Sequence, residues 1–200
     1  MRKTMRLQKL IAKFSTRTEL PIEIPEVREE IIAMGIQDKI VFCPDAEMDK
    51  TKLKGAYMQF RVRPTMYGEY EDWSLIVFCA NEGIPWQRMI CAKEMIHILD
   101  DEAERTSTLD QLDGLLNRLL GSVSTEEFNI FDIMAAKDRL ALYQAIPLLF
   151  PMAARDNAIQ AVKSGRKTLH EIADDACLPV ELVSLALTDN WPGLVKDLTC

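Results

Sequence analysis

The chain has 200 residues, 48% of them apolar and 28% charged, with a formal net charge of −7. That length and apolar content suffice for one domain with a sizeable core, and the acidic balance excludes a broad nucleic-acid surface, which needs sustained basic charge. No apolar run reaches the roughly 18–20 residues that cross a bilayer, and Cys43, Cys79, Cys91, Cys177 and Cys200 show no paired metal-binding spacing, so reduced thiols, a cytoplasmic location and no membrane partner are expected.

Residues 2–17 hold Arg2, Lys3, Arg6, Lys9, Lys13 and Arg17 and no acid. Most of these cations share one helical stripe beside Leu7, Leu10, Ile11 and Phe14, which predicts a basic amphipathic helix within residues 1–20. Its plainest role is a docked helix with a solvated rim. The alternatives are an acidic partner or nucleic acid held through Arg2, Arg6, Lys9, Lys13 and Arg17, or a targeting segment. After Pro21 and Pro25, residues 26–34 followed by Gly35 have a helix's length and stop signal, and residues 40–43 read as a short strand. Residues 56–63 and 74–79 are rich in β-branched and aromatic side chains on either side of Pro64 and Gly68, which predicts paired antiparallel strands. A helix over 93–100 follows.

Everything after it reads as helical. Leu109, Leu112, Leu116 and Leu119 repeat at helical spacing behind the candidate caps Ser107 and Thr108, and Gly121 ends the run. A helix over 128–145 is punctuated by Pro147 and Pro151, and two short helices cover 168–176, with Thr168 and Glu171 as capping residues, and 179–187. Strands first and helices later predict an α+β domain over residues 1–200: N-terminal helix 1–20, sheet and central helix 21–105, helical part 106–200. The last helix pair has a helix-turn-helix outline, but residues 181–187 contain no Lys or Arg to meet phosphates, so packing against the core is expected.

The chemistry concentrates in Lys93-Glu94-Met95-Ile96-His97. With His at position 93 these residues would spell H-E-x-x-H, in which two His one helical turn apart bind zinc and the Glu polarises the attacking water. A lysine ammonium has no lone pair to give a metal. At 100° per residue Lys93, Glu94, His97 and Asp101 form one polar stripe, opposite Met89, Ala92, Met95, Ile96 and Leu99. Lys93 is either a solvated side chain or a cation standing in the metal's place, paired with Glu94 or with an acid from a facing element. E-x-x-H also serves carboxylate-bridged iron sites, but the chain has no second copy.

Around this motif the chain resembles the ImmA/IrrE family of zinc metallopeptidase-like proteins, as a degenerate member. The apolar strand 74–79, Asn81, Pro85, Arg88 and Ala92-Lys93-Glu94-Met95-Ile96-His97 follow in the family's order, lacking only the first His. A second matching block, 138–151, ends in Leu148-Leu149-Phe150-Pro151, and a third, 169–187, contains Leu178-Pro179-Val180-Glu181-Leu182-Val183-Ser184. The resemblance implies a zincin-like core with a small antiparallel sheet and an all-helical C-terminal half. It puts an acidic third ligand on the 138–151 helix, where counting back from Pro151 gives Leu140 and a two-residue slip gives Asp138; the apolar ending favours Leu140.

It further implies Glu94 as a vestigial general base in a cleft with Lys93, His97, Arg88 and Asp101, Arg88 and Asn81 serving structure rather than catalysis. Trp73, Trp86 and Trp191 read as core or rim residues. No metal is favoured; if the chain were an active peptidase, zinc would take His97, Asp101 and Asp138. Members of the family cleave or inactivate helix-turn-helix repressors in bacteria and their mobile elements. The expected function is therefore an inactive regulatory module that binds such a repressor. The alternatives are an active metallopeptidase with non-standard ligands, and a nucleic-acid contact through residues 1–17.

Overall fold

The computed structural model describes residues 2–100 and 130–199, together with 107–108, 110–111 and 114–115. It is a mixed α+β fold. In chain order come α1 (Arg2–Phe14), α2 (Ile24–Ala33), β1 (Lys39–Asp45), β2 (Gly55–Val62), β3 (Glu71–Cys79), α3 (Ile84–His97), α4 (Ile130–Leu149), α5 (Met152–Lys163), α6 (Leu169–Ala176), α7 (Val180–Ala186) and α8 (Trp191–Leu198). The expected helix over 109–119 and the start of the 128–145 helix lie largely outside the described residues. The cap expected at its head is present, since Thr108 Oγ1 accepts from Gln111 N at 3.2 Å while Gln111 Oε1 accepts from Thr108 N. Among the described residues no helix is long and apolar enough to cross a membrane.

The expected hairpin forms: β2 runs antiparallel to β3, with Tyr57 opposite Ile76. The sheet is nevertheless mixed rather than antiparallel, because β1 lies parallel to β3, with Lys39 opposite Trp73 and Asp45 opposite Cys79. β1 ends and β2 begins at the same end of the sheet, so the 46–54 loop reverses the chain while leaving one strand's width between them. β3 fills that gap. Antiparallel to β2 through its hairpin, it is necessarily parallel to β1. Asn81 closes this end of the sheet by donating from Nδ2 to Ala46 O at 2.7 Å, a structural role that satisfies a loop carbonyl.

One face of the sheet buries Tyr57 and Ile76 against α3, and α3 packs in turn against α4. α3 is longer than expected, starting at Ile84 with Pro85 in its first turn, where a missing N–H costs no helical bond. Leu7, Leu10, Ile11 and Phe14 of α1 are buried, so the basic segment is a docked helix. α4 continues through Pro147 to Leu149, although that proline read as a stop. Ile146, Leu148, Leu149 and Phe150 are wholly buried around it, and this packing offsets the one backbone bond a proline removes.

α6 is capped as expected, Glu171 and Thr168 exchanging side-chain to backbone bonds. α6 and α7 bury Ile172, Ala173, Ala176, Leu182, Val183 and Ala186, so both pack on the core. A residue without sequence signal locks this corner. The buried Arg155 of α5 donates to Ala186 O at 2.7 Å and to Thr188 O at 2.8 Å, supplying donors that the C-terminus of α7 lacks. Arg155→Met keeps the volume but leaves both carbonyls unmatched, so it is expected to cost about 2–4 kcal/mol in denaturant unfolding. A loss below about 0.5 kcal/mol would count against this role.

Candidate functional site

α3 carries the site on the flank that faces α4 and the start of β2. Lys93, Glu94 and His97 lie along that flank, and Asp138 meets them from α4. The Lys93 ammonium is 2.9 Å from Glu94 Oε1 and 2.5 Å from Asp138 Oδ1. His97 Nδ1 is 2.9 Å from Asp100 Oδ2, and its Nε2 lies 3.5 Å from the same Asp138 oxygen that Lys93 binds. That last separation is a charge contact rather than a formed hydrogen bond. Tyr57 stacks on the imidazole with ring centroids 6.2 Å apart. All five charged side chains are largely buried, Glu94 most of all at 2% exposure.

The backbone allows this closeness at one point. A Cβ on Gly55 would meet Ile90 Cγ2 at 2.3 Å and Val77 O at 3.0 Å, with Glu94 Oε1 at 3.4 Å. Only glycine lets β2 approach α3 beside Glu94.

Lys93, His97 and Asp138 shift one another toward their charged forms. Burial alone would raise the Asp138 carboxyl, but His97 and Lys93 outweigh it and bring it down to about 2. Burial would also lower Lys93, yet Glu94 and Asp138 keep its pKa above the ordinary lysine value. His97 follows the same pattern: desolvation opposes the imidazolium, and Asp100 with Asp138 favours it more strongly. Cys91, buried on α3 near Glu94, has its thiol pushed up to about 12 and is inert as a nucleophile at neutral pH.

Two expectations are corrected, for Leu140 and Arg88, and a third, for Asp101, falls outside the described residues. The acid that meets the motif is Asp138; Leu140 points outward and is 40% exposed. Asp138 continues the i+3 and i+4 row of the buried Ala141, Ala145, Leu148 and Leu149, a spacing that counting back from Pro151 overlooked. The partner of His97 is Asp100, whereas Asp101 lies outside the described residues. α3 tightens beyond His97, with Ile98, Leu99 and Asp100 each bonding three residues back, and this returns Asp100 to the imidazole. Arg88 leaves the cleft: its guanidinium binds Ile22 O at 2.6 Å, Glu23 at 2.9 Å and Cys177 O at 3.3 Å. It ties the α2 entry and the α6 end to α3, a structural part.

The basic N-terminal segment is partly neutralised, with Lys13 of α1 paired to Glu30 at 3.1 Å and Arg17, beyond the end of α1, paired to Glu26 at 2.8 Å. Lys9 faces solvent, Arg6 is half-buried, and the Arg2 side chain lies outside the described part. Trp191 is buried; Trp73 stacks on Phe60, and Trp86 lies under the Lys54 ammonium.

Glu94, His97 and Asp138 can bring one ligand atom each within 4.8 Å of one another, so the donor types would suit a divalent metal. A zinc ion bonded to these carboxylate oxygens at about 2.0–2.2 Å would compete with the Lys93 ammonium for the same space. With Lys93 protonated, the residues present do not fit zinc. Comparison with protein-family models and with curated proteins found no match.

Proposed function

We infer that the chain is a metal-free, non-catalytic counterpart of zinc metallopeptidases that works by binding another protein. The observation that carries this reading is the Lys93 ammonium held between Glu94 and Asp138. A glutamate engaged with an ammonium is a poor general base for water, and the cation already supplies the positive charge that these acids need. In this reading the zincin-like core is a scaffold, and its partner is a transcriptional regulator of the helix-turn-helix class, as the resemblance to the ImmA/IrrE family suggests.

The opposing reading, an active metallopeptidase, has one observation in its favour, the converging donors of Glu94, His97 and Asp138. Elemental mass spectrometry separates the two. Protein purified without chelator, soaked in excess zinc and then desalted is expected to retain metal far below one ion per chain. Near-stoichiometric zinc, manganese or iron that disappears in His97→Ala would overturn the non-catalytic reading.

A further inference from the structure

Beside Lys93 the described residues enclose a cavity of about 320 Å³ that His97 does not line. That is close to the smallest size that holds a specific ligand group. Leu53, Trp86, Ile90 and Leu142 give it apolar walls, and Lys52 and Arg139 stand at its mouth. Trp86 is fixed in place by the Lys54 ammonium, 3.9 Å over its ring and 2.9 Å from Glu82.

The lining carries the cations Lys52, Lys54, Lys93 and Arg139 against two acids, Glu94 and Asp138, and both acids are engaged by Lys93. What the mouth offers is therefore positive. Arg139 is exposed and has no ion-pair partner among the described residues, and the Lys52 side chain is 71% exposed with only a 3.8 Å contact to Asp49. On a chain of net charge −7 this is a local inversion of sign, and an acidic segment would be repelled elsewhere and steered here.

We propose that this cavity docks an acidic segment of a partner protein, one apolar side chain entering between Trp86 and Leu142 while flanking carboxylates meet Lys52 and Arg139. The assignment rests on the reading of the chain as a protein-binding module. It makes the binding surface the pocket on the β2 side of Lys93 rather than the His97 side.

The test is a heteronuclear NMR titration of the full ¹⁵N-labelled chain at low ionic strength with N-acetyl-Glu-Leu-Glu-amide and its counterpart N-acetyl-Lys-Leu-Lys-amide. The acidic peptide is expected to give saturable shifts at Leu53, Gly55, Leu142 and the Trp86 indole N–H, and to bind roughly tenfold more tightly than the basic one. Arg139→Glu, on an exposed position, should weaken it roughly fivefold while leaving the rest of the spectrum in place. Equal shifts from both peptides, shifts confined to other surfaces, or none that saturate would overturn the assignment and leave the non-catalytic reading standing. Cleavage of the peptide during the titration would do the reverse.

Discussion

Lys93→Ala is expected to destabilise the folded chain by about 3–5 kcal/mol, the cost of leaving buried charge without its partner. Glu94 and Asp138 are 2% and 16% exposed at their side chains, and both turn an oxygen to the Lys93 ammonium. Without it the two carboxylates face each other in a poorly solvated space, where His97 is the nearest remaining cation that contacts Asp138 among the described residues. The cost arises from the missing partner and not from the strength of the pair. The triple variant Lys93→Met, Glu94→Gln, Asp138→Asn, which keeps volume and removes the charge problem, should therefore recover most of the loss. Excess zinc should recover part of it in Lys93→Ala, where the ammonium no longer competes, and none in the unaltered chain. Urea unfolding at neutral pH measures all three, and a Lys93→Ala loss within about 0.5 kcal/mol would make the lysine an ordinary surface residue.

Local periodicity made much of the fold legible. The α1 stripe, the β2 and β3 hairpin and the capped α6 announce themselves in contiguous stretches of chain, because amphipathic spacing, alternation and capping are short-range signals. The place of β1 is different in kind: its partner β3 lies more than thirty residues on, and the choice depends on how wide a gap the 46–54 loop leaves. No pattern within β1 records that.

The site divides along the same line. Lys93, Glu94 and His97 were legible because they share one helix, and an acid from a facing element was foreseeable because a buried ammonium requires one. Which acid it would be depended on the phase of α4, and there an apolar motif anchored at Pro151 misled, whereas the row running back from Ala145 and Ala141 leads to Asp138. Asp100 was hidden by the tightened turn after His97, since an ideal helical wheel rotates past it to Asp101. Arg88 and Arg155 bind carbonyls at the ends of distant elements, and sequence holds no trace of such tertiary capping.

The pH dependence of stability is the second large effect, and its two limbs have opposite signs. Asp138 falls from its ordinary 3.8 to about 2 in the fold. A folded value below the unfolded one stabilises the fold above about pH 4, and this stabilisation, about 2 kcal/mol, is lost as the pH drops through about 2. His97 and Lys93 are raised instead. Their contributions are complete below their ordinary values, 6.5 for the imidazole, and fade as the pH climbs through the folded values. Stability should therefore be greatest between about pH 4 and 6.5, with His97 bringing the first decline on the alkaline side. Asp138→Asn tests the coupling. It should remove the Asp138 share of the acid limb and move the His97 titration downward, since Asp138 acts with Asp100 and Glu94 to sustain the imidazolium. Denaturant midpoints across the pH range, with NMR titration of the His97 ring, read both effects. A His97 that titrates at or below 6.5 in the unaltered chain would dismantle this account of the network.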